Sequence, residues 1–161
     1  MQEYFKIYSF MLTSFLIDAI FLDLTALILD CTCAFVAGIK DLPDSIKECK
    51  SLRSIDISVN PFDRFPDAIT HIVGLRELYI NDAYIEYLPA NFGRLSALRT
   101  LELRENNMMT LPKSMSRLVN LQRLDIGNND FTELVRALIF VTVIVVFEPT
   151  YFSHAYHLRN I

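Results

Sequence analysis

A leucine recurs at every 23rd position through the middle of this chain, and this period constrains the fold more than any other feature of the sequence. Leu52, Leu75, Leu98 and Leu121 each open a copy of the frame L-x-x-[IL]-x-[IL]-x-x-[NA]-x-[IFM]-x-x-[LF]-P, and only the fourth copy lacks the Pro, because Val135 stands there. A period in this range, with Leu or Ile at fixed offsets, is the signature of a leucine-rich repeat solenoid.

Each part of the frame predicts one local structure. The first part alternates apolar and polar residues, the pattern of a short strand with one buried face. The Asn that follows can hydrogen-bond backbone groups of the turn, and the Pro stands where no ladder N–H is needed. The last part, as in residues 112–118, spaces apolar residues three apart and predicts one or two helical turns. Stacked copies therefore predict an α/β solenoid with short parallel strands on the concave face and helical turns on the convex face.

The repeats divide the chain into three parts. Residues 39–134 hold about four and a half copies, the half copy coming first. They contain 12 Lys or Arg and 14 Asp or Glu, whereas the rest of the chain contains only 3 and 5. The sequence therefore predicts a soluble repeat domain between two apolar flanks, residues 1–38 and 135–161.

The polar strand positions predict the composition of the concave face. Because strand side chains alternate, the outward positions of successive copies form columns across the sheet. One column is acidic apart from its Tyr, which suits a basic or mixed-charge protein partner. The alternative is a solvated face without a partner, because polar residues are required there in either case. The candidate contact residues are Asp56, Glu77, Tyr79, Glu102, Arg104, Arg123 and Asp125.

Charge and cysteine content narrow the class further. A net charge of −4 offers no basic stripe for nucleic acid. Three cysteines are too few for the disulfide-bonded caps that usually close extracellular repeats, which favours a reducing, intracellular location. Cys49 stands at an apolar position of the frame, so we interpret it as a buried hydrophobe.

No catalytic or metal-binding constellation is evident in the sequence. His71 lies in a convex segment where a polar residue is expected. His154 and His157 lack a carboxylate or thiolate nearby, and the pair Cys31-x-Cys33 supplies at most two thiolates. The four glycines form no phosphate-cradling loop. We therefore expect a protein that is not an enzyme and holds no cofactor and no metal.

The N-terminal flank allows several interpretations. One period before the first full copy the strand signature is lost. Residues 10–28 are apolar enough for a membrane anchor, although Asp18 and Asp23 oppose insertion. A signal peptide with Ile7–Ile17 as its apolar core is a second interpretation. A helical cap over the first repeat, or sequence foreign to the array, is the third.

The C-terminal flank contains an apolar run, Ala137–Phe147, that is too short to span a bilayer. Leu138, Val141, Ile144 and Phe147 fall on repeat positions, but Pro149 then occupies a strand position. We predict an improvised C-terminal cap.

The repeats resemble a known family beyond their generic frame. The stretch from Asn81 to Leu95, followed by Leu101–Asn107 and Thr110–Met115, closely resembles the LAP proteins, the Scribble, Erbin and Densin scaffolds. Ala83, which replaces the usual Asn, is similar to theirs as well. The resemblance covers roughly residues 39–134 and stops inside a repeat at both ends, which favours a truncated or spliced product or a mispredicted gene.

The resemblance implies a cytoplasmic scaffold at the basolateral or junctional membrane, active in cell polarity, receptor clustering and synaptic organisation. It also implies protein partners on the concave face and peripheral membrane association. Two alternatives remain open: a membrane-anchored repeat protein with residues 10–28 as its anchor, and a regulatory scaffold in a small-GTPase or phosphatase pathway.

Overall fold

The strands of this protein form one parallel sheet. The structure is a computed structural model that describes residues 4–7, 26–29, 39–62, 64–131 and 144–146. Neighbours in sequence are neighbours in the sheet, in the order β1 to β7. The strands are β1 (Tyr4–Ile7), β2 (Ala26–Leu29), β3 (Ser54–Asp56), β4 (Glu77–Tyr79), β5 (Thr100–Glu102), β6 (Arg123–Asp125) and β7 (Ile144–Val146).

Short helical turns lie between successive strands from β2 to β6. They are 3-10 helices of three to five residues: Asp44–Glu48, Asp67–His71, Phe92–Arg94 and Lys113–Arg117. Each begins just after the Pro of its repeat, or after Asn91 in one case, and buries at least one apolar side chain. A parallel strand followed by a convex turn in every period confirms the predicted α/β leucine-rich repeat solenoid.

The register of the central sheet follows the period of the sequence. Ser54 of β3 lies opposite Glu77 of β4, which lies opposite Thr100, which lies opposite Arg123. The inward residue at the centre of each of these strands is fully buried: Ile55, Leu78, Leu101 and Leu124. Burying one such side chain stabilises a fold by about 1.5–3 kcal/mol. Because each apolar side chain packs against the neighbouring repeats, no repeat is expected to be stable alone.

The flanks depart from that period. β2 pairs with β3 so that Ala26 lies opposite Ser54, 28 positions later, and β7 pairs with β6 so that Ile144 lies opposite Arg123, 21 positions earlier. A strand therefore lies 28 positions before β3, although the sequence carries no periodic signal for it. Parallel pairing uses backbone groups, so the connecting segment can lengthen or shorten without loss of the strand.

The remaining interpretations of the flanks lie mostly outside the described residues. That holds for nearly all of residues 10–28, for the signal peptide and helical cap, and for most of the C-terminal run. In the part of the chain that the structure describes, no helix is both long and apolar enough to cross a membrane.

An asparagine after β3, β5 and β6 joins adjacent repeats. Asn106 is 4% exposed, and its Oδ1 accepts the N–H groups of Ala83 at 3.2 Å and Ile85 at 2.9 Å in the preceding repeat. Its Nδ2 donates to three carbonyl oxygens at 2.7–3.1 Å, those of Ile80, Leu103 and Arg104. One side chain therefore satisfies backbone groups of two repeats that the core would otherwise leave without partners.

The asparagines that bind the preceding turn, here called the asparagine ladder, are Asn60, Asn106 and Asn129, and the series has one gap. Asn60 and Asn129 also accept a backbone N–H of the preceding turn and donate to carbonyl oxygens of their own repeat. Ala83 occupies the equivalent buried position and carries no amide. The N–H of Phe62, which an asparagine at position 83 would bind, donates instead to the carbonyl oxygen of Asn60 at 2.9 Å. The turn before Ala83 is therefore closed by a local bond.

The residue before each ladder position has a left-handed backbone. Val59, Asp82, Glu105 and Asn128 have φ angles of 58°, 50°, 56° and 53°. Asn and Asp tolerate this region, whereas a β-branched residue is a genuine outlier there. Val59 is thus the most strained of the four positions, and its side chain is exposed.

Replacing Asn106 with Ala is expected to lower the free energy of unfolding by about 2–5 kcal/mol, because two buried N–H groups and three carbonyl oxygens lose their partner. Asn107→Ala is the matched control, since Asn107 is exposed and its backbone N–H bond to Ile85 is retained. Urea denaturation measures both. Equal stability of the two variants would contradict the ladder.

Replacing Val59 with Asn is expected to raise the free energy of unfolding by about 1 kcal/mol, because Asn adopts the left-handed conformation at lower cost. Val73→Asn provides the control, since Val73 is also exposed but has no positive φ. Thermal and urea unfolding compare the two. The strain assignment fails if Val59→Asn is no more stable than the unmodified chain.

Candidate protein-binding surface

The sheet brings the predicted contact residues onto one face, here called the concave face and defined by the outward side chains of β3 to β6. The register aligns Glu77 with Arg123 in one column. It aligns the four residues of the second column directly: Asp56, Tyr79, Glu102 and Asp125. Arg104 joins the same face, because its Nη1 lies 3.5 Å from Oδ2 of Asp125.

Two of the three carboxylates in the second column are already paired. Arg123 Nη2 lies 2.9 Å from Glu102 Oε1, and Arg104 contacts Asp125. Asp125 also accepts the N–H of Gly127 at 3.1 Å, and its side chain is only 3% exposed. The predicted acidic column is therefore a mixed-charge face, and Asp125 offers almost no surface to a partner.

The open part of the concave face lies around Tyr79. Asp56 accepts the backbone N–H of Ser58 at 3.0 Å, which fixes its carboxylate in a turn. Burial raises the pKa of the Tyr79 phenol, and the charges of Glu77, Glu102 and, more weakly, Asp56 raise it further, while Arg123 opposes them. The shift reports a partly buried aromatic ring surrounded by carboxylates.

Polar bonds between repeats hold this face in place. The N–H of Asn81 donates to Ser58 Oγ at 3.0 Å, and its Oδ1 accepts the N–H of Arg104 at 2.8 Å. Its Nδ2 donates to Glu102 Oε2 at 3.2 Å. Asn81 thus connects three successive repeats, a role that its position in an outward column did not reveal. The only sequence signal for this role is that Asn81 follows β4 at the position where Ser58 follows β3 and Arg104 follows β5.

Other reactive side chains lie away from this face. His71 ends a convex 3-10 helix and is exposed. Cys49 is 7% exposed and packs in the core, where burial raises the pKa of its thiol. Within the described ranges, no three His, Cys, Asp or Glu side chains are grouped to hold a metal ion. The histidines and cysteines of the flanks lie outside those ranges.

Comparison with protein families identifies one match. Residues 88–131 match the family described as "Leucine rich repeat". A leucine-rich repeat domain is therefore present. Comparison with the curated proteins finds no match.

Solved structures support the same fold. A leucine-rich repeat protein of Leptospira interrogans aligns over 91% of this chain and 38% of its own length, at 19% identity and a TM-score of 0.75. The ectodomain of the Arabidopsis thaliana receptor kinase GASSHO1/SCHENGEN3, in complex with CASPARIAN STRIP INTEGRITY FACTOR 2, aligns over 66% of this chain and 13% of its own length, at 30% identity and a TM-score of 0.56. The chain thus spans well under half the length of either protein, and the matches identify repeats of this class rather than a particular scaffold family.

Raising the pH is expected to destabilise the folded chain through Tyr79. Because the folded-state pKa lies above the ordinary value of 10.0, the unfolded chain releases this proton first. The stabilising contribution is complete below the ordinary value and is lost as pH rises through the folded-state pKa. Urea denaturation of the unmodified chain and of Tyr79→Phe across this range should show a steeper decline for the unmodified chain. Parallel declines would exclude the shift.

Proposed function

We propose that this chain is a non-catalytic interaction module whose concave face binds a protein partner around Tyr79. The main support for this proposal is that the Tyr79 ring lies beside Asp56 and Glu77. Neither carboxylate has an ion-pair partner among the described residues. An aromatic ring with an apolar body and a polar tip is a typical anchor of a protein interface.

The rigidity of the face supports this role. Asn81 bonds to the repeats on both sides, and the two arginine–carboxylate pairs join β6 to β5 and to the turn that follows β5. A surface that is already ordered loses little conformational entropy when a partner binds. The partner therefore meets a preorganised surface rather than a flexible loop.

The charges of the face define the chemistry of the partner. Asp56 and Glu77 favour a Lys or Arg side chain above Tyr79, where the cation also contacts the ring. Arg123 is half exposed although it contacts Glu102, so its guanidinium can also pair with a carboxylate of the partner. The expected partner surface is basic at its centre and carries an acidic side chain toward β6.

We further propose that the module belongs to a cytoplasmic scaffold of the basolateral or junctional membrane. The proposal rests on the resemblance of residues 81–95, 101–107 and 110–115 to the LAP scaffolds. The receptor ectodomain that shares 30% identity is in complex with CASPARIAN STRIP INTEGRITY FACTOR 2 in its own structure, which supports partner binding by repeats of this kind.

The concave-face proposal can be tested by site-specific photo-crosslinking in cells. The full chain is made with benzoylphenylalanine at Thr100, which lies opposite Glu77 on the concave face and leaves Tyr79 in place, or, as the convex control, at exposed Arg117. A specific adduct is expected from position 100, and adding Asp56→Lys should weaken it about tenfold or more by reversing a central charge. Adducts from both positions, or none from position 100, would remove the proposal.

The scaffold proposal needs a separate readout. A fluorescently tagged full chain is expected at lateral contacts of polarised epithelial cells. The double variant Asp56→Lys, Tyr79→Ala should lose this enrichment, whereas Asp67→Lys on the exposed convex side should keep it. A uniform cytoplasmic distribution of the unmodified chain contradicts the scaffold location but leaves the crosslinking result independent.

A further inference from the structure

A second surface carries most of the exposed apolar side chains. The large hydrophobic residues exposed in the described part of the chain are Val59, Val73, Tyr84, Tyr87, Met109 and Val119. Four of these six lie in the segments that leave the strands: Val59, Tyr84, Tyr87 and Met109. Tyr84 is 60% exposed, and Tyr87 and Met109 are each 59% exposed. Their clustering on one edge distinguishes them from scattered exposed residues.

The register of adjacent repeats places the backbone segments that carry Tyr84, Tyr87 and Met109 side by side. The N–H of Asn107 donates to the carbonyl oxygen of Ile85 at 3.0 Å, and the N–H of Ile85 donates to Asn106 Oδ1 at 2.9 Å. Residues 84–87 therefore lie beside residues 107–110. Met109 lies one repeat beyond Glu86, which stands between the two tyrosines in sequence.

The backbone turns Tyr84 outward. Both Asp82 and Tyr84 have left-handed φ angles, 50° and 57°, while Ala83 and Ile85 are fully buried. A positive φ at an aromatic residue is strained and persists only where the surrounding structure fixes the conformation. The buried neighbours and the asparagine bonds hold the strained turn, so the backbone at Tyr84 directs its side chain to solvent.

Carboxylates surround the tyrosines. Asp82, Glu86 and Glu105 are all exposed, and each lies within two residues of Tyr84 or in the equivalent turn of the next repeat. The ion pairs among the described residues involve other carboxylates. Arg64 occupies the repeat position equivalent to Tyr87 and contacts Asp41 at 3.8 Å. The charge of this edge is therefore negative around its aromatic centre.

We propose that this edge, called the tyrosine edge and formed by Tyr84, Tyr87, Met109 and the carboxylates of Asp82, Glu86 and Glu105, binds an arginine-rich segment of a partner protein. Guanidinium groups stack on the two rings and pair with the carboxylates, while the methylene stems pack on Met109. Arginine fits better than lysine because its planar guanidinium can stack and donate two parallel hydrogen bonds at once. The tyrosine edge adjoins the concave face but shares no residue with it, so one module can bind two segments.

Fluorescence anisotropy with the full chain tests the tyrosine edge. The probe is a fluorescein-labelled peptide of four Arg-Gly repeats, with four Lys-Gly repeats as the matched peptide. The double variant Tyr84→Leu, Tyr87→Leu keeps apolar side chains and removes both rings, so loss of folding does not confound the result. Val73→Ala with Val119→Ala is the control, called the valine control, because these two exposed apolar residues lie outside the segments that leave the strands.

The expected result is saturable binding of the arginine peptide, weakened about tenfold by the double Leu variant through loss of two cation–π contacts. The lysine peptide should bind more weakly, and the valine control should bind the arginine peptide as the unmodified chain does. No saturable binding, equal affinity for both peptides, unchanged binding by the Leu variant, or equal weakening by the valine control would each overturn the proposal. Failure here leaves the concave-face crosslinking test unaffected.

Discussion

The side-chain amide of the buried asparagine is the interaction on which this structure depends. A leucine-rich repeat has a short strand and a single 3-10 turn, so most of its backbone groups lack partners within the repeat. Asn106 supplies five hydrogen bonds to groups of its own repeat and of the one before it. The apolar columns supply the driving force for stacking, and the amides determine which residue meets which.

The functional surfaces follow from that register. Because the strands align at the period of the repeat, Asp56 lies beside Tyr79, and Glu102 lies beside both Tyr79 and Asp125. The same alignment places residues 84–87 beside residues 107–110. A concave face and an adjoining edge are thus produced by one spacing rule, and the edge adds one feature of its own, the left-handed φ of Tyr84.

The sequence predicts the parts that repeat and misses the parts that do not. The strands β3 to β6 and the columns on them were predictable, because period and alternation are visible in the letters. β2 was missed because its spacing to β3 is longer than the period and carries no periodic signal. The pairing of Arg104 with Asp125 was missed because it joins different columns of adjacent repeats. The columns read from the sequence give the order of the charges but not the distances between them. The sequence does not reveal the strain at Val59, because the equivalent positions of the four repeats carry four different residue types.

Amide hydrogen exchange at equivalent positions tests the role of the asparagine ladder most directly. Phe62, Ile85 and Met108 occupy the same place in three repeats; the N–H groups of Ile85 and Met108 donate to Asn106 and Asn129, whereas that of Phe62 faces Ala83 and bonds locally. If the ladder holds the repeats together, Ile85 and Met108 exchange only through opening of the stacked repeats, and Phe62 exchanges faster. Exchange of Phe62 as slow as that of Ile85 would contradict the account.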